Sequence, residues 1–365
     1  MKKILILTAA FGEGHNSAAR GIRQGLLQTA GRDVQVEVHD LFAETYGPAN
    51  TLARELYLGL INQWPGAWRH VYRWLDQRQK FAGGFHVFFL LKKYFHRLLE
   101  QFQPDVIVSV YPAYSHMLDE MFGAEGLGRS KRVVVITDSL SLNAIWYRCH
   151  ADYFLVPNDR SAAQLHAAGI PSEKTRAFGF PVSPEFAEPA PTRPSPTEEQ
   201  SHVLYLANAR QTAAAELVLR LAAIRGVSLT VAVGRHRALR KSIEHAQPMA
   251  LRPYQIVGWS EELPRLLRAS HLLISKAGGA TVQEAIAAGC PMIVNHIIPG
   301  QEEGNARLLV ETKSGLIATS HTAVAAAVRA AFANDAAIWR DLSANIARQS
   351  RPAASLEIAL FLLTL

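Results

Sequence analysis

The sequence predicts an α/β protein made of two doubly wound domains. Three observations predict it. Short, continuously apolar runs alternate with helical patterns along almost the whole chain, prolines crowd one interruption near the middle, and glycine-rich joints follow two of the apolar runs. Apolar strands separated by helices belong to parallel sheets covered on both faces. A chain of 365 residues is long enough for two such domains.

Taken in order, the strand candidates of the first half are 3–8, 34–39, 105–110, 132–137, 153–157 and 176–179. Those of the second half are 202–206, 228–233, 255–257, 272–275 and 292–295. Between the halves, EFAEPAPTRPSPTEEQS places Pro189, Pro191, Pro194 and Pro196 within eight residues, a density that forbids helix or central strand and reads as an extended linker. The expected organisation is a first domain over 1–187, a linker over 188–199, a second domain over 200–345 and an apolar helix within 346–365 that returns to the first domain. A cleft between the two domains is expected.

Composition excludes several classes. The chain is 49% apolar and 19% charged, without low-complexity tracts. Cys149 and Cys290 are too few and too far apart for a metal cluster and fit a reducing compartment. No uncharged apolar run reaches the roughly 18 to 20 residues that span a bilayer. MKKILIL reads as a buried first strand rather than a signal peptide, because the run breaks into Gly-Glu-Gly-His, and a cytoplasmic location is expected.

The net charge of +7 is concentrated: residues 54–100 carry eight Lys/Arg against three acidic residues. The same stretch holds Trp64, Trp68, Arg73, Phe85, Phe88 and Lys92. Cations beside rings suit an anionic membrane surface, although composition alone favours two ordinary helices that bury their rings and solvate their charges. No RNA-binding motif accompanies it, so nucleic acid is not an expected partner.

Two joints carry the chemistry. TAAFGEGHNSAARG follows the first strand. Gly12 and Gly14 permit a tight turn, Asn16 or Ser17 can cap the next helix, and the helix start offers free N–H groups to an anion. His15 there suits proton removal from a hydroxyl; the alternative is a turn histidine that packs. Read as a dinucleotide site, GEGHNS lacks a third glycine, with Asp40 as the ribose ligand of that scheme. The second joint is HLLISKAGGATVQEAIAAGCP, where Gly278, Gly279, Ala280 and Thr281 can face a phosphate and Glu284 a ribose. The alternative is a capping box, Thr281 to Glu284. After the next strand, Gln301 and Glu302 can bond sugar hydroxyls or form an acidic first helical turn.

FGEGHNSAA, PDVIVSVYP, VVVITDSLSLNAIW, FGFPVSPEF and SKAGGATVQEAIAAGCPMIVNHIIPGQEEGNA occur in this order. With them the chain resembles the monogalactosyldiacylglycerol synthase and processive diacylglycerol glucosyltransferase group of glycosyltransferase family 28. It is more distantly similar to the GlcNAc transferase that completes the lipid-linked peptidoglycan precursor. The resemblance implies a GT-B fold and inverting, metal-free transfer of a hexose from a UDP-sugar to diacylglycerol at a membrane surface. No cofactor is implied. His15 is then the catalytic base, with Asp138 as an orienting or auxiliary carboxylate. Gly14, Gly278, Gly279, Ala280, Thr281 and Arg235 lie toward the donor diphosphate, Glu284 toward its ribose, Trp259 toward the uracil, and Gln301 and Glu302 toward the sugar. Tyr111, Asn143 and Trp146 lie on the acceptor side. The chain departs from the pattern at Tyr111 and Asn143, where many members carry histidine, and at LANARQT, where a glycine-rich loop is common. A UDP-sugar epimerase or a transferase with a soluble acceptor shares the fold and is the alternative reading.

Overall fold

The computed structural model describes residues 1–10, 13–47, 88–123, 127–140, 142–189, 193–197, 200–208, 214–298 and 302–365. The chain divides into two compact units, one formed by 1–184 with 351–365 and the other by 185–298 with 302–350.

The first unit holds strands β1 (Lys2–Leu7), β2 (Val34–His39), β3 (Val106–Ser109), β4 (Lys131–Val135), β5 (Tyr153–Leu155) and β6 (Thr175–Arg176). They form one parallel sheet in the order β2-β1-β3-β4-β5-β6. Ile4 through Leu7 are fully buried, as a central strand covered on both faces requires. The described helices between them are α1 (Glu13–Ala30), α2 (Leu41–Tyr46), α3 (Phe89–Phe102), α4 (Pro112–Phe122) and α5 (Asp159–Ala167). Pro112 opens α4 at its first turn, where a missing N–H costs no helical bond.

The second unit holds β7 (Ser201–Leu206), β8 (Val227–Ala232), β9 (Gln255–Val257), β10 (Leu272–Lys276), β11 (Met292–His296) and β12 (Gly315–Ile317), ordered β12-β11-β10-β7-β8-β9 and again all parallel. Its described helices are α6 (Ala214–Ala222), α7 (Arg237–Ala246), α8 (Leu263–Ala269), α9 (Gly279–Ala287), α10 (Glu303–Glu311) and α11 (His321–Ala347), the last broken at Ala333–Ala336. Strand β12 is not foreseen in the sequence. It is a three-residue edge strand whose apolar run is too short to give a period. The described part of the linker lies along this unit: Arg193 donates to the carbonyls of Ser270 and Gly289, and His271 donates to that of Pro194 at 2.8 Å.

In each sheet the chain builds outward from one strand and then crosses to its other side, so β1/β3 and β7/β10 are switch points, where the loops beyond the carboxyl ends diverge and leave a crevice. The final helix, α12 (Ala354–Thr364), belongs to the first unit, where its Phe361 meets Tyr153 at 4.9 Å and Phe178 at 5.5 Å between ring centroids. Gly25 of α1 lets the helices touch, because a Cβ there would overlap the Ser355 carbonyl. Gly25→Val is therefore expected to cost about 1–3 kcal/mol by overpacking, more than the few tenths gained in helix propensity. A lowered urea midpoint checks it, and an unchanged midpoint contradicts this seating of α12.

Candidate functional site

In the first unit the predicted residues converge at the β1/β3 switch point. Helix α1 begins at Glu13, so His15 and Asn16 lie in its first turn and Ser17 just after it, all inside the helix. This corrects the expectation that Asn16 or Ser17 caps the helix: a residue already inside it cannot. Asn16 instead pairs with the Thr8 hydroxyl at 2.9 Å, tying the helix start to the end of β1. Gly14 has open space around it, with nothing within 4 Å of where a Cβ would stand.

The His15 ring is half-buried between two aromatic rings. The Tyr111 ring meets it edge-on at 5.2 Å and the Trp146 ring lies at 5.9 Å, tilted by 46°. Its Nδ1 lies 3.2 Å from Thr137 Oγ1. Burial outweighs a hydrogen bond to the Val110 backbone and lowers its pKa to about 4, so the imidazole is neutral at pH 7 and can take up a proton. Asp138 accepts a hydrogen bond from Trp146 Nε1 at 2.7 Å, while burial raises its carboxyl to about 6. The Trp146 indole bonds Asp138 and packs against His15, so the carboxylate reaches the imidazole by way of that ring. Thr137, the hydroxyl beside His15, escaped the sequence reading although it stands next to Asp138 in the same motif.

Tyr111 precedes α4 and packs against Phe42 and Tyr114 as well as His15. Asn143 is buried, and its side chain accepts from Ile145 N at 3.0 Å, capping the short helix Ala144–Trp146 that carries Trp146. Asp40 is committed elsewhere. Its Oδ1 caps α2 at Ala43 N and its Oδ2 accepts from Ala10 N at 2.8 Å, which removes it from the ribose role of the dinucleotide scheme.

In the second unit, α9 begins right after β10 with Gly278 at its cap position and no side chain capping it. The N–H groups of Gly279, Ala280 and Thr281 form the first turn, which has no intrahelical acceptors and carries the positive end of the helix dipole. Thr281 therefore is not the cap, and the capping-box alternative fails: Glu284 sits in the second turn, half-buried. Around this turn the loops are locked. Lys276 pairs with Glu302, which is 3% exposed and also accepts from Ile298 N at 3.1 Å. Asn305 donates to the Ala277 carbonyl at 3.1 Å. Gly278 lies against the Lys276 ammonium, 3.3 Å from where its Cβ would be. The sequence assigned Glu302 a sugar contact without its Lys276 partner, because the two lie on neighbouring strand ends, 26 residues apart. Beyond β8 and β9, the Arg235 guanidinium lies over the Trp259 ring at 4.3 Å, and the indole is 57% exposed.

Gln301, Trp64, Trp68, Arg73, Phe85, Gly12 and residues 209–212 of LANARQT lie outside the described residues. Phe88 packs against Phe42 and Tyr46, and Lys92 pairs with Glu120 at 2.5 Å. Among the described residues no helix is long and apolar enough to cross a membrane, and no group of His, Cys, Asp and Glu could hold a metal ion.

Residues 15–182 match the monogalactosyldiacylglycerol synthase family model, and residues 204–350 match the glycosyltransferase family 28 C-terminal domain. A probable monogalactosyldiacylglycerol synthase, chloroplastic, of Glycine max is 28% identical over 379 residues, covering 98% of this chain and 70% of that protein. The processive diacylglycerol beta-glucosyltransferase of Bacillus subtilis (strain 168) is 25% identical over 351 residues, covering 93% of this chain and 89% of its own. Among solved structures, MurG of Acinetobacter baumannii has a TM-score of 0.64 at 14% identity, and UDP-GlcNAc 2-epimerase of Neisseria meningitidis bound to UDP-GlcNAc has 0.62 at 15%, each covering 100% of both chains. At such identities these two likenesses speak for the fold alone. The two parallel six-stranded sheets are those of the GT-B fold, and the protein is a UDP-sugar-dependent glycosyltransferase. The chain belongs to the monogalactosyldiacylglycerol synthase and diacylglycerol glucosyltransferase group of glycosyltransferase family 28.

A pKa lowered from 6.5 to about 4 means that His15 gains its proton only in acid. Its ring resonances, followed by NMR with His15→Gln as the assignment control, are expected to titrate with a midpoint near 4. A midpoint at the ordinary value would contradict the packed environment.

Proposed function

We propose that the protein transfers a hexose from a UDP-sugar to the free hydroxyl of diacylglycerol, with inversion and without a metal ion, as a peripheral enzyme on the inner face of the cell membrane. The observation that carries this reading is the neutral His15 at the β1/β3 switch point, within the segment that matches the synthase family. The relatives named for diacylglycerol glycosylation match over 93–98% of the chain.

The acceptor oxygen attacks the anomeric carbon from the face opposite UDP, and the bond to the UDP oxygen breaks as the new one forms. The acceptor proton passes to the neutral His15 imidazole, and UDP leaves with the bonding electron pair. A pKa near 4 makes an isolated imidazole a weak base, and the negative charge of a bound donor raises it toward neutrality. Thr137, Tyr111 and Trp146 fix the ring, and Asp138 fixes Trp146. In the second unit the first turn of α9 takes the diphosphate charge, assisted by Arg235, with Glu284 on the ribose and Trp259 beside the uracil. Glu302, buried and held by Lys276 and Ile298 N, fixes the loop that precedes α10, and the sugar contact falls to Gln301. The described face that fits a lipid surface is that of α3, where Phe89, Leu90, Lys93 and Arg97 are exposed.

The test incubates purified protein with UDP-glucose, UDP-galactose or UDP-GlcNAc, with and without diacylglycerol in anionic vesicles, and identifies products by mass spectrometry. One glycosylated diacylglycerol is the expected result and names the sugar. Release of UDP without a lipid product would overturn the acceptor. His15→Ala is expected to lower kcat by about 10²–10⁴-fold with the fold intact by circular dichroism. Glu284→Ala should raise KM for the donor tenfold or more while kcat changes little. Near-normal turnover in the first variant, or an unchanged KM in the second, removes the corresponding role.

A further inference from the structure

At the end of the first sheet away from His15, the segments leading into β4, β5 and β6 surround a cavity of about 590 Å³. At roughly 3.3 Å per residue, the five residues of β4 set it about a strand length from Thr137. Arg129, Lys131, Arg132 and Lys174 line it, and Phe154 and Ile170 give it an apolar side.

The nearby carboxylates are already engaged. Asp152 accepts from Lys131 Nζ at 3.0 Å and from the Arg132 backbone N–H at 2.8 Å. Asp119 accepts from Arg132 Nη1 at 3.0 Å and from the His150 N–H at 2.9 Å, with His150 Nδ1 at 3.3 Å. Four cations thus face two carboxylates, and the surplus stays positive even with His150 neutral. Arg132 is only 6% exposed, and its Nη2 has no hydrogen-bond partner. Buried guanidinium nitrogens are otherwise satisfied, and this one, itself covered from solvent, belongs to a residue that lines the cationic cavity. Exposed Arg129 and Lys174 stand at the rim.

We propose that this cavity is a second ligand site, for a phosphate-bearing anion, with Arg132 as its buried anchor and Arg129 and Lys174 as its rim. A phosphate supplies several acceptor oxygens in the planar arrangement a guanidinium reads, and its charge matches the cationic surplus. The apolar side accommodates the organic part of a phosphomonoester or the glycerol of a lipid headgroup. None of these residues takes part in the donor or acceptor roles above.

Thermal unfolding is followed while inorganic phosphate is added to protein saturated with UDP, with sodium chloride at equal ionic strength as the control. The expected result is a midpoint that rises with the logarithm of phosphate and not with chloride. Arg132→Gln also strips Asp119 of its partner, so the deciding variant is Arg129→Gln/Lys174→Gln, which changes only exposed side chains. It should weaken the phosphate response tenfold or more and leave the midpoint in chloride unchanged. A response equal in chloride, or undiminished in the double variant, overturns the proposal. Because wild type and double variant are compared under the same conditions, this outcome is independent of whether the donor site takes UDP. Sedimentation with phosphatidylglycerol vesicles separates the sources. Loss of vesicle binding in the double variant assigns a lipid headgroup, and unchanged vesicle binding beside a lost phosphate response assigns a free phosphate compound.

Discussion

Burial of β1 on both faces is the constraint on which the first unit depends. Ile4 through Leu7 have no exposed surface, and parallel partners lie on both sides, β2 and β3. A strand so enclosed can deliver a polar residue only beyond its carboxyl end, and the chain must leave there into α1. His15 is therefore placed by backbone geometry before any side chain contributes. The side chains then determine its chemistry: Tyr111 arrives after β3 and Thr137 after β4, adjacent strands about 4.8 Å apart. Together with Trp146 they cover part of the ring, and the resulting desolvation favours the neutral imidazole.

The second unit solves the same problem by electrostatics instead of aromatic packing. The start of α9 concentrates positive partial charge, and Lys276 lies beside it. Left alone, both would repel any further cation and leave Glu302 buried without a counter-charge. Pairing Lys276 with Glu302 neutralises the carboxylate and joins the β10 and β11 loops, while Asn305 ties the same loops through a backbone carbonyl. A rigid, uncapped helix start is the outcome. It suits an anion whose charge grows during reaction, since its dipoles need no rearrangement.

The architecture was open to reading because it rests on local pattern. Eleven apolar runs marked strands that exist, with ends displaced by up to three residues, and the strand that escaped notice, β12, has too few residues to carry a period. The joints around His15 and Gly278 were also legible, since glycine and histidine at strand ends have a mechanical meaning independent of context. Helix starts were less so. Asn16 and Ser17 resemble caps but lie inside α1, and Thr281 resembles a cap but follows Gly278 by a full turn. A cap is defined by where the backbone leaves helical angles, and two small polar residues in succession do not fix that point.

The sequence by itself determined the two parallel sheets, their glycine-rich joints and the place of His15 at the first of them, because each follows from residues within one turn or one strand of each other. Only the tertiary structure decided what those residues touch. That Asp138 serves Trp146, that Lys276 answers Glu302, and that Arg132 is left with an unanswered nitrogen all depend on segments beyond different strand ends or turns meeting in space. The physical reason is that hydrogen bonds and desolvation act over a few ångströms of space, and distance along the chain does not encode which strand ends become neighbours.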